Sequence, residues 1–517
     1  MNSSTIAAGA AAHRSAASAP RSAAPVDHPN EFFIGGEWVE PTSDALIHVI
    51  NPTTEEAFFS VAEAREADIN RAVAAARNAF DVGPWPRMSH RERAGYLHAI
   101  YNLLQLKADD IARTWSHEVG IVYGLAQAFT RAGTGAYRLY ADLGESFEFE
   151  ERHRPMLGNV GLLAREPVGV VGAIIPWNGP IVTLANKVAP ALIAGCTVII
   201  KASPEAPGSA YMMAQIAREA GLPPGVLNVV TADREVSELL VRHTGVDKIT
   251  FTGSSVAGRR IAAICGDRVA RCTLELGGKS AGVILDDYDL ATAAASIAGS
   301  ACMISGQVCS SLTRIIVSRH RHGAFLEALS AEFSKVRVGD PMQADTQMGP
   351  LAMRRQRDRV EHYIAKGIEE GATLAAGGRR PAQFERGFFI EPTVFGNVSN
   401  DSTIGREEIF GPVVSVIPAD DEEQAVHIAN DTIYGLNASV FTHDVERAYS
   451  TARRLRSGTV GHNSTYNDFV IGFGGFKQSG IGREGGVEGL LPFLESKTII
   501  LDSAPRHLAK SVESTVG

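Results

Sequence analysis

The sequence has few cysteines and few aromatic residues, and it lacks any long apolar run. Five of its 517 residues are cysteine, and 7% are aromatic. The odd cysteine number and the lack of a CxxC pair argue against a disulfide framework and against a zinc site, so no metal is expected. Residues 168–175 form one of the longest apolar stretches, but glycine interrupts it and Pro176 ends it well short of a membrane span. We therefore expect a soluble protein without membrane contact, in a reducing compartment, the cytoplasm.

The chain also lacks an excess of positive charge. Its formal net charge is -9, so nothing attracts it to polyanions, and we expect no nucleic-acid partner. The short basic cluster of Arg453, Arg454 and Arg456 is interpreted as the solvated face of a helix. With 45% hydrophobic and 21% charged residues, the composition is that of a folded protein, and the length predicts two or more structural modules.

Residues 1–30 are rich in alanine and serine and contain no continuous apolar block. The basic Arg14 and Arg21 are scattered through them, and the first acidic residue is Asp27. A disordered tail is expected, and a transit peptide, which has a similar composition, stays open as an alternative.

The periodicity of apolar residues changes along the chain. Residues 71–80 and 91–106 read as amphipathic helices separated by a Gly-Pro-Trp-Pro breaker. Beyond them, short Val/Ile-rich runs alternate with helical stretches: strands are predicted at 168–175, 197–201, 226–230, 248–252 and 272–276, and helices at 181–194, 209–220, 235–242 and 257–264. This pattern predicts successive βαβ units and an α/β fold with a parallel sheet.

Two further predictions follow from this reading. Ligands of such sheets bind beyond the carboxyl ends of the strands, so Asn178, Lys201 and Gly253 become candidates for cofactor contact. A second α/β stretch is expected at 281–441, and an apolar strand at 498–501 has so little chain left to cover it that pairing with another subunit is expected.

Two short motifs resemble phosphate-binding loops and are rejected. The GIGREG segment at 480–485 matches GxGxxG, but no strand-like run precedes it, and too little chain follows for a dinucleotide-binding half. The GGKS segment at 277–280 resembles the end of a Walker A sequence, yet Thr273 stands where its first glycine belongs. No NTPase is predicted.

Six segments, taken together and in this order, resemble the aldehyde dehydrogenase superfamily. They are PWN at 176–178, FTGS at 251–254 with Gly258, LELGG at 274–278, GQVC at 306–309, EEIFGP at 407–412 and FGGFKQSG at 473–480. The resemblance covers residues 32 to 501. It implies an aldehyde dehydrogenase-like fold: a Rossmann-like cofactor domain (31–142 and 165–275), an α/β catalytic domain (276–482) and a small oligomerisation element (143–164 and 483–505). A homodimer or homotetramer is implied as well.

The resemblance assigns catalytic roles to four residues. Cys309 matches the nucleophile, since a thiolate attacks carbonyls readily and forms a labile thioester. Asn178 matches an oxyanion donor, although its sequence context also fits a helix N-cap. Glu275 matches the general base that activates water, the alternative being a surface carboxylate paired with Arg271 or Lys279. Lys187 matches another lysine of the family, and a plain solvated lysine remains open.

The resemblance also implies a nicotinamide dinucleotide as cofactor. Gly253 and Ser254 would bring backbone amides to the pyrophosphate at a helix N-terminus, and Lys201 would contact the adenosine ribose. Glu408 would hold the nicotinamide ribose. The full set of implied contacts is Ile174, Pro176, Trp177, Lys201, Gly253, Ser254, Gly258, Leu276, Gly277, Glu408 and Phe410. Pro204 stands where many NAD-preferring relatives carry glutamate, so NAD with tolerance of NADP is predicted, and the neighbouring Glu205 could substitute in part.

Other departures concern the substrate. Gly179 and Asn186 replace frequent aromatic residues, and Ile304 replaces a common asparagine before the nucleophile. A wider, more polar tunnel is expected, which predicts a medium-sized or bulky, partly apolar aldehyde as substrate. Two other function classes stay open: a cysteine esterase or thioesterase without redox chemistry, and a non-catalytic binding protein on the same fold.

Overall fold

The computed structural model describes residues 25–505, so most of the expected tail, residues 1–24, lies outside the described residues. The strands, in chain order, are β1 (Phe32–Ile34), β2 (Glu37–Val39), β3 (Leu46–Ile50), β4 (Ala57–Ala62), β5 (Glu150–His153), β6 (Val160–Pro167), β7 (Val170–Ile174), β8 (Thr197–Ala202), β9 (Leu227–Thr231), β10 (Lys248–Thr252), β11 (Arg271–Glu275), β12 (Ser280–Ile284), β13 (Leu312–Ser318), β14 (Thr373–Ala376), β15 (Thr393–Gly396), β16 (Val413–Ala419), β17 (Asn437–Phe441), β18 (Thr459–His462), β19 (Gly480–Ile481) and β20 (Leu494–Leu501).

The helices alternate with these strands over much of the chain. They are α1 (Glu66–Asp81), α2 (His90–Leu106), α3 (Ala108–Val119), α4 (Tyr123–Ser146), α5 (Pro180–Ala194), α6 (Gly208–Glu219), α7 (Arg234–Arg242), α8 (Ser255–Asp267), α9 (Leu290–Ala301), α10 (His322–Ser334), α11 (Arg354–Glu369), α12 (Thr403–Arg406), α13 (Glu422–Asn430), α14 (Val445–Arg454) and α15 (Gly486–Leu490). Short 3₁₀ turns lie at Trp85–Arg87, Met303–Gly306, Lys477–Ser479 and Leu491–Phe493.

The first large sheet has the order β19-β11-β10-β7-β8-β9-β1-β2. Its five central strands, β7 to β11, are parallel, and α5, α6, α7 and α8 connect them in turn. The strands predicted between residues 168 and 276 are confirmed, with ends that shift by one or two residues. The strand order reverses between β7 and β10, and in sheets of this type a ligand binds in the crevice at that reversal.

Alternate residues of the central strands face two hydrophobic cores. In β7, Val171 and Ala173 pack into the larger core with α2, α4 and α5, whereas Val170 and Ile174 pack into the other core with α1, α7 and α8. Burial on both faces explains why these strands read as continuous apolar runs in the sequence.

The second large sheet has the order β14-β15-β16-β13-β12-β17-β18 and is parallel except for β14. A separate antiparallel sheet, β20-β6-β5, combines the C-terminal strand with an earlier hairpin. The predicted strand at 498–501 is therefore longer than expected, and along its full length it pairs with β6 of the same chain. β6 therefore covers one edge of β20, and pairing with another subunit is not needed there. No strand among residues 25–505 lies beside the other edge of β20.

The predicted domain boundaries stay a prediction. β6 runs across the boundary at 165, and β19 pairs with β11 of the first sheet although it belongs to the segment 276–482. Among the helices described, none combines the length and apolar character needed to cross a membrane.

Arg314 in β13 ties the second sheet to the segments around it. It is fully buried, and its guanidinium donates to Lys279 O (3.0 Å), Asn400 Oδ1 (2.9 Å), Ile428 O (3.0 Å) and Ala429 O (2.9 Å). Buried carbonyls that lose such a donor keep the full cost of their desolvation.

We predict that Arg314→Met destabilises the protein by about 3–5 kcal/mol, because it strips several buried acceptors of their donor at once. The matched control is Arg319→Met, which removes an exposed ion pair with Asp420 and should cost less than about 1 kcal/mol. Chemical denaturation of both variants measures the difference, and equal midpoints would contradict the assigned role.

Candidate active site

Cys309 follows a tight turn between α9 and β13. Within the turn, Ile304, Ser305 and Gly306 have φ angles of 47°, 54° and 72°, so three successive residues adopt the left-handed region. The β-branched Ile304 is strained in this conformation. A Cβ on Gly306 would lie 2.2 Å from the carbonyl carbon of Gly411, so only glycine fits there.

Hydrogen bonds fasten this turn to the segment before α11. Ser305 Oγ donates to the Gly349 carbonyl at 2.8 Å. Gln307 Nε2 donates to Ile304 O at 2.9 Å, while Gln307 Oε1 accepts from Ala352 N at 3.0 Å. The strained backbone is thus held by the surrounding structure, and the position of the next residues is fixed.

The thiol of Cys309 is half-buried between charged neighbours. Burial raises its pKa to about 12, and the nearby carboxylates of Glu408 and Glu275 contribute to the shift. The thiol is therefore protonated at neutral pH, and forming a thiolate requires a base within reach.

Asn178 lies beside the turn that carries the thiol, although 129 residues separate it from Gln307 in sequence. Its Nδ2 donates to Gln307 O at 2.9 Å. The interpretation of Asn178 as a helix N-cap is wrong: Gly179 is the N-cap of α5, and Pro180 occupies the first turn. The side-chain amide is free of any capping bond and points to the Cys309 segment instead.

Glu275 ends β11 and is almost completely buried, with 3% of its surface exposed. Neither carboxylate oxygen has a hydrogen-bond partner among residues 25–505. The surface alternative is wrong, because Glu275 is buried, Arg271 pairs with Glu495, and Lys279 Nζ makes no hydrogen bond to Glu275. Burial, reinforced by the Glu484 carboxylate, raises the pKa of Glu275 well above its ordinary value.

Lys187 is fully buried, so its interpretation as a solvated lysine is wrong. Its ammonium forms an ion pair with Glu484 and contacts Thr250 Oγ1 at 3.3 Å. The positive charges of Lys187 and Arg483 partly offset the rise in the pKa of Glu275. A buried cation, a second carboxylate and the unpartnered Glu275 therefore form one electrostatic unit.

Sequence reasoning missed Glu484, which lies inside the rejected GxGxxG segment. That segment has a structural use: Gly480 pairs with Glu275 in the antiparallel ladder of β19 and β11. The unusual presence of an acidic residue in a glycine-rich stretch was the available signal.

The two glycines after Glu275 allow three chain segments to meet. A Cβ on Gly277 would lie 2.3 Å from Glu408 Oε2, and one on Gly278 would lie 2.4 Å from Cys309 O. The Gly278 N–H donates to Glu408 Oε1 at 3.0 Å, and burial raises the pKa of Glu408 to about 7. Glu275, Glu408 and Cys309 thus surround one short connection between the sheets.

The predicted cofactor contacts gather at the carboxyl edge of the first sheet. Ile174 ends β7, Pro176 and Trp177 follow it, and Lys201 lies near the end of β8. Lys201 Nζ is buried with only a 3.5 Å contact to Ala232 O, and burial lowers its pKa to about 8. A buried amine that is so weakly bonded fits a polar ligand group.

The N-terminus of α8 lies at the same edge. Ser254 is its N-cap and accepts from Ala257 N at 3.3 Å. The first N–H groups of a helix lack partners within it and attract anions such as a pyrophosphate. A Cβ on Gly258 would lie 2.4 Å from the Leu276 side chain, so this glycine lets α8 pack against the segment leaving β11.

Phe410 lies on the opposite side of the crevice. Its ring meets Trp177 edge-on, with 5.5 Å between centroids. Sequence reasoning missed its supports in α11: Gln356 Nε2 donates to Phe410 O at 2.7 Å, and Arg359 Nε donates to Ile409 O at 3.2 Å. Nothing in the arginine-rich sequence at the start of α11 indicates these contacts.

Comparisons with known proteins agree with this geometry. The model of the aldehyde dehydrogenase family matches residues 38–499. The chain is 42% identical over 477 residues to a geranial dehydrogenase of Castellaniella defragrans, covering 92% of this chain and 99% of that one. It is also 42% identical to a 3-succinoylsemialdehyde-pyridine dehydrogenase of a Pseudomonas species, covering 91% and 98%.

Solved structures show the same fold. A Mycobacterium tuberculosis aldehyde dehydrogenase complexed with NAD⁺ has 43% identity and a TM-score of 0.89, covering 91% of this chain and 98% of that chain. A mutant of aldehyde dehydrogenase C from Pseudomonas syringae, complexed with NAD⁺ and octanal, has 40% identity and a TM-score of 0.89, covering 93% and 99%. The predicted α/β fold is therefore confirmed.

We predict that Glu408→Gln speeds alkylation of Cys309 by iodoacetamide severalfold at pH 9. At that pH Glu408 is ionised, so its removal lowers the thiol pKa and increases the thiolate fraction, while the amide oxygen can still accept from Gly278 N. Mass spectrometry of the Cys309 peptide gives the rate, and Cys309→Ala gives the background of the other cysteines. An unchanged or slower rate would argue against electrostatic control by Glu408.

Proposed function

The chain belongs to the aldehyde dehydrogenase family, and on this premise we propose that Cys309, Asn178, Glu275 and Lys187 carry out its NAD(P)-dependent oxidation of an aldehyde to a carboxylic acid. The supporting observation is the buried, unpartnered Glu275 carboxylate, close enough to Cys309 to raise the pKa of its thiol. These four residues come from separate segments of the chain, and packing of the fold alone gives no reason for their polar groups to meet.

The reaction begins with the Cys309 thiol. In this proposal Glu275 takes the thiol proton, and the sulfur attacks the aldehyde carbon to form a thiohemiacetal. The Asn178 amide and the Cys309 backbone N–H donate to the oxyanion, which exists only after attack, so they favour the transition state over the bound substrate.

Hydrolysis completes the reaction. When bound, the dinucleotide supplies the hydride acceptor that converts the thiohemiacetal to a thioester. Glu275 first releases the thiol proton to solvent and then removes a proton from water, which attacks the thioester carbon and releases the acid and the Cys309 thiolate. A carboxylate in this place favours hydrolysis over transfer to coenzyme A.

Lys187 and Glu484 set the charge around the general base. Burial is the main cause of the raised pKa of Glu275; the Glu484 carboxylate raises that pKa further and the Lys187 ammonium lowers it, so the two members of the ion pair act on the base in opposite directions. In this proposal Lys187 acts through Glu275 rather than on the substrate.

The proposed cofactor is NAD, with tolerance of NADP. The weakly bonded Lys201, the N-terminus of α8 and the Glu408 carboxylate lie along the crevice where the adenosine ribose, the pyrophosphate and the nicotinamide ribose would bind. Trp177 and Phe410 provide apolar surface near the nicotinamide end. Pro204 carries no charge that would repel a 2′-phosphate.

The proposed substrate is a medium-sized or bulky, partly apolar aldehyde. Gly179 directly follows Asn178, and no atom lies within 4 Å of the place where a Cβ would be. Asn186, two turns further along α5, is buried with Oδ1 lacking a hydrogen-bond partner. The names of the relatives, which include geranial dehydrogenase, support a substrate of this size.

We predict that Cys309→Ala abolishes aldehyde oxidation and leaves NAD affinity nearly intact, as measured by calorimetry. Glu275→Gln should slow the first NADH release, because the thiol loses its base, and should reduce steady turnover about 10²-fold or more, because the thioester that does form hydrolyses slowly. Stopped-flow absorbance and the mass of the trapped thioester measure both effects.

The same measurements separate the alternatives. A cysteine esterase would cleave activated esters but release no NADH from aldehydes, and a non-catalytic binding protein would do neither. Aldehyde oxidation that persists in Cys309→Ala would reject the assignment.

We predict that branched or longer-chain aldehydes of about ten carbons exceed acetaldehyde in kcat/KM by tenfold or more, a difference that a few buried methylenes can supply. Gly179→Phe should reduce kcat/KM for the bulky substrates more than for acetaldehyde. Gly95→Phe, at an exposed glycine of α2 that also has open space, is the control. Acetaldehyde as the best substrate would refute the proposed tunnel.

We also propose a cytoplasmic homodimer or homotetramer assembled through the small sheet. Met156, Leu157 and Ile500 are exposed apolar residues on this sheet and its hairpin, a surface suited to burial between subunits. We predict that sedimentation finds an oligomer and that Leu157→Asp weakens it; a monomeric parent protein would contradict the proposal.

A further inference from the structure

The start of α11 joins the adenosine end of the crevice to the catalytic loop. Arg355 forms an ion pair with Glu205, which follows β8, while Ala352 N donates to Gln307 Oε1 at 3.0 Å. One short segment of the second α/β unit therefore contacts both the loop after Lys201 and the turn before Cys309. This places an exposed cationic side chain next to the loop that faces the adenosine ribose in the proposed function.

The Glu205 carboxylate is not a free negative charge. Ser203 Oγ donates to Oε2, and Arg355 Nη2 donates to Oε1. Glu205 could therefore replace the missing glutamate at Pro204 only when its ion pair with Arg355 opens. The ion pair of Arg355 and Glu205 therefore adds no net charge to what a 2′-phosphate would meet here.

Space for an additional group lies beside this ion pair. A cavity of 330 Å³ is bordered by Pro204, Glu205, Asp233 and Arg355. The buried Lys201 lies near enough for Glu205 and Asp233 to affect the pKa of its ammonium. The cavity lining thus contains one arginine and the carboxylates of Glu63, Glu205 and Asp233, and Lys201 is a second cation nearby.

Arg355 can leave Glu205 at little cost. Its side chain is 68% exposed, and ion pairs with so much solvent contact contribute little to stability. A phosphate offers it two parallel hydrogen bonds and a higher charge than a carboxylate does.

We propose that Arg355 binds the 2′-phosphate of NADP while it still neutralises Glu205, and that with NAD bound Glu205 separates from Arg355 and accepts the ribose hydroxyls. This inference rests on the proposed function, since it assumes that the adenosine ribose binds beside Lys201. It assigns cofactor choice to a residue of α11, outside the first sheet.

The test measures binding as well as turnover. Calorimetry gives the Kd of adenosine 2′,5′-bisphosphate and of AMP, and their ratio measures how much the 2′-phosphate adds to binding. Steady-state kinetics gives the kcat/KM ratio of NADP to NAD. Arg355→Ala is expected to raise the Kd of the bisphosphate, and to lower the NADP-to-NAD ratio, by about tenfold or more. Arg354→Ala removes the adjacent arginine, which pairs with Glu55, and is the matched control with no expected change in either.

Two further variants, Glu205→Gln alone and Glu205→Gln combined with Arg355→Ala, distinguish direct contact of Arg355 with the phosphate from simple neutralisation of Glu205. Glu205→Gln should tighten bisphosphate binding and weaken NAD binding. If Arg355 touches the phosphate, Arg355→Ala still weakens bisphosphate binding in the Glu205→Gln background. If it only neutralises Glu205, that effect disappears, and the proposal is overturned.

Other outcomes are equally decisive. A parent protein that does not bind the bisphosphate more tightly than AMP, or equal effects of Arg354→Ala and Arg355→Ala, would overturn the inference. Failure to oxidise any aldehyde with either dinucleotide would instead reject the proposed function, while the calorimetric comparison would still report on Arg355.

Discussion

The site depends on the close approach of backbone segments at Gly277 and Gly278, where the chain leaves the first sheet and enters the second. A methyl group at either position would overlap the Glu408 carboxylate or the Cys309 carbonyl, at 2.3 and 2.4 Å. Because neither glycine has a side chain, Glu275 before them, Glu408 beside them and Cys309 beyond them share one small volume. Larger residues would push the two sheets apart, and the convergence of these groups would be lost.

Burial in that volume determines the electrostatics. Two carboxylates that lie among apolar and glycine-rich surroundings lose hydration, so the pKa of each rises, and the thiol between them resists ionisation for the same reason. Lys187 and Arg483 partly offset the rise for Glu275, and Arg359 and Lys279 partly offset the rise for Glu408. Such an arrangement costs stability and has no packing benefit, which is typical of groups retained for chemistry.

α11 supplies the mechanical link between the two ends of the crevice. Its first turns contact Glu205 at one end and the backbone of Ile409 and Phe410 at the other, and the segment before it holds the turn of Gln307. Movement of this segment would therefore disturb cofactor contacts and nucleophile position together. The strained Ile304 persists because these hydrogen bonds over-determine its backbone.

The sequence by itself determined the βαβ alternation, since strands buried on both faces and the helices between them differ in hydrophobic period. Its motifs also identified Cys309, Glu275 and Asn178 as candidates. Only the tertiary structure decided that Asn178 is not an N-cap, that Lys187 is buried, and that Glu484 lies near Glu275 and Arg355 beside Glu205, because each depends on a partner far away in the chain. Local patterns carry information about a residue's own element, whereas burial and ion pairing are set by segments that meet only when the sheets pack together.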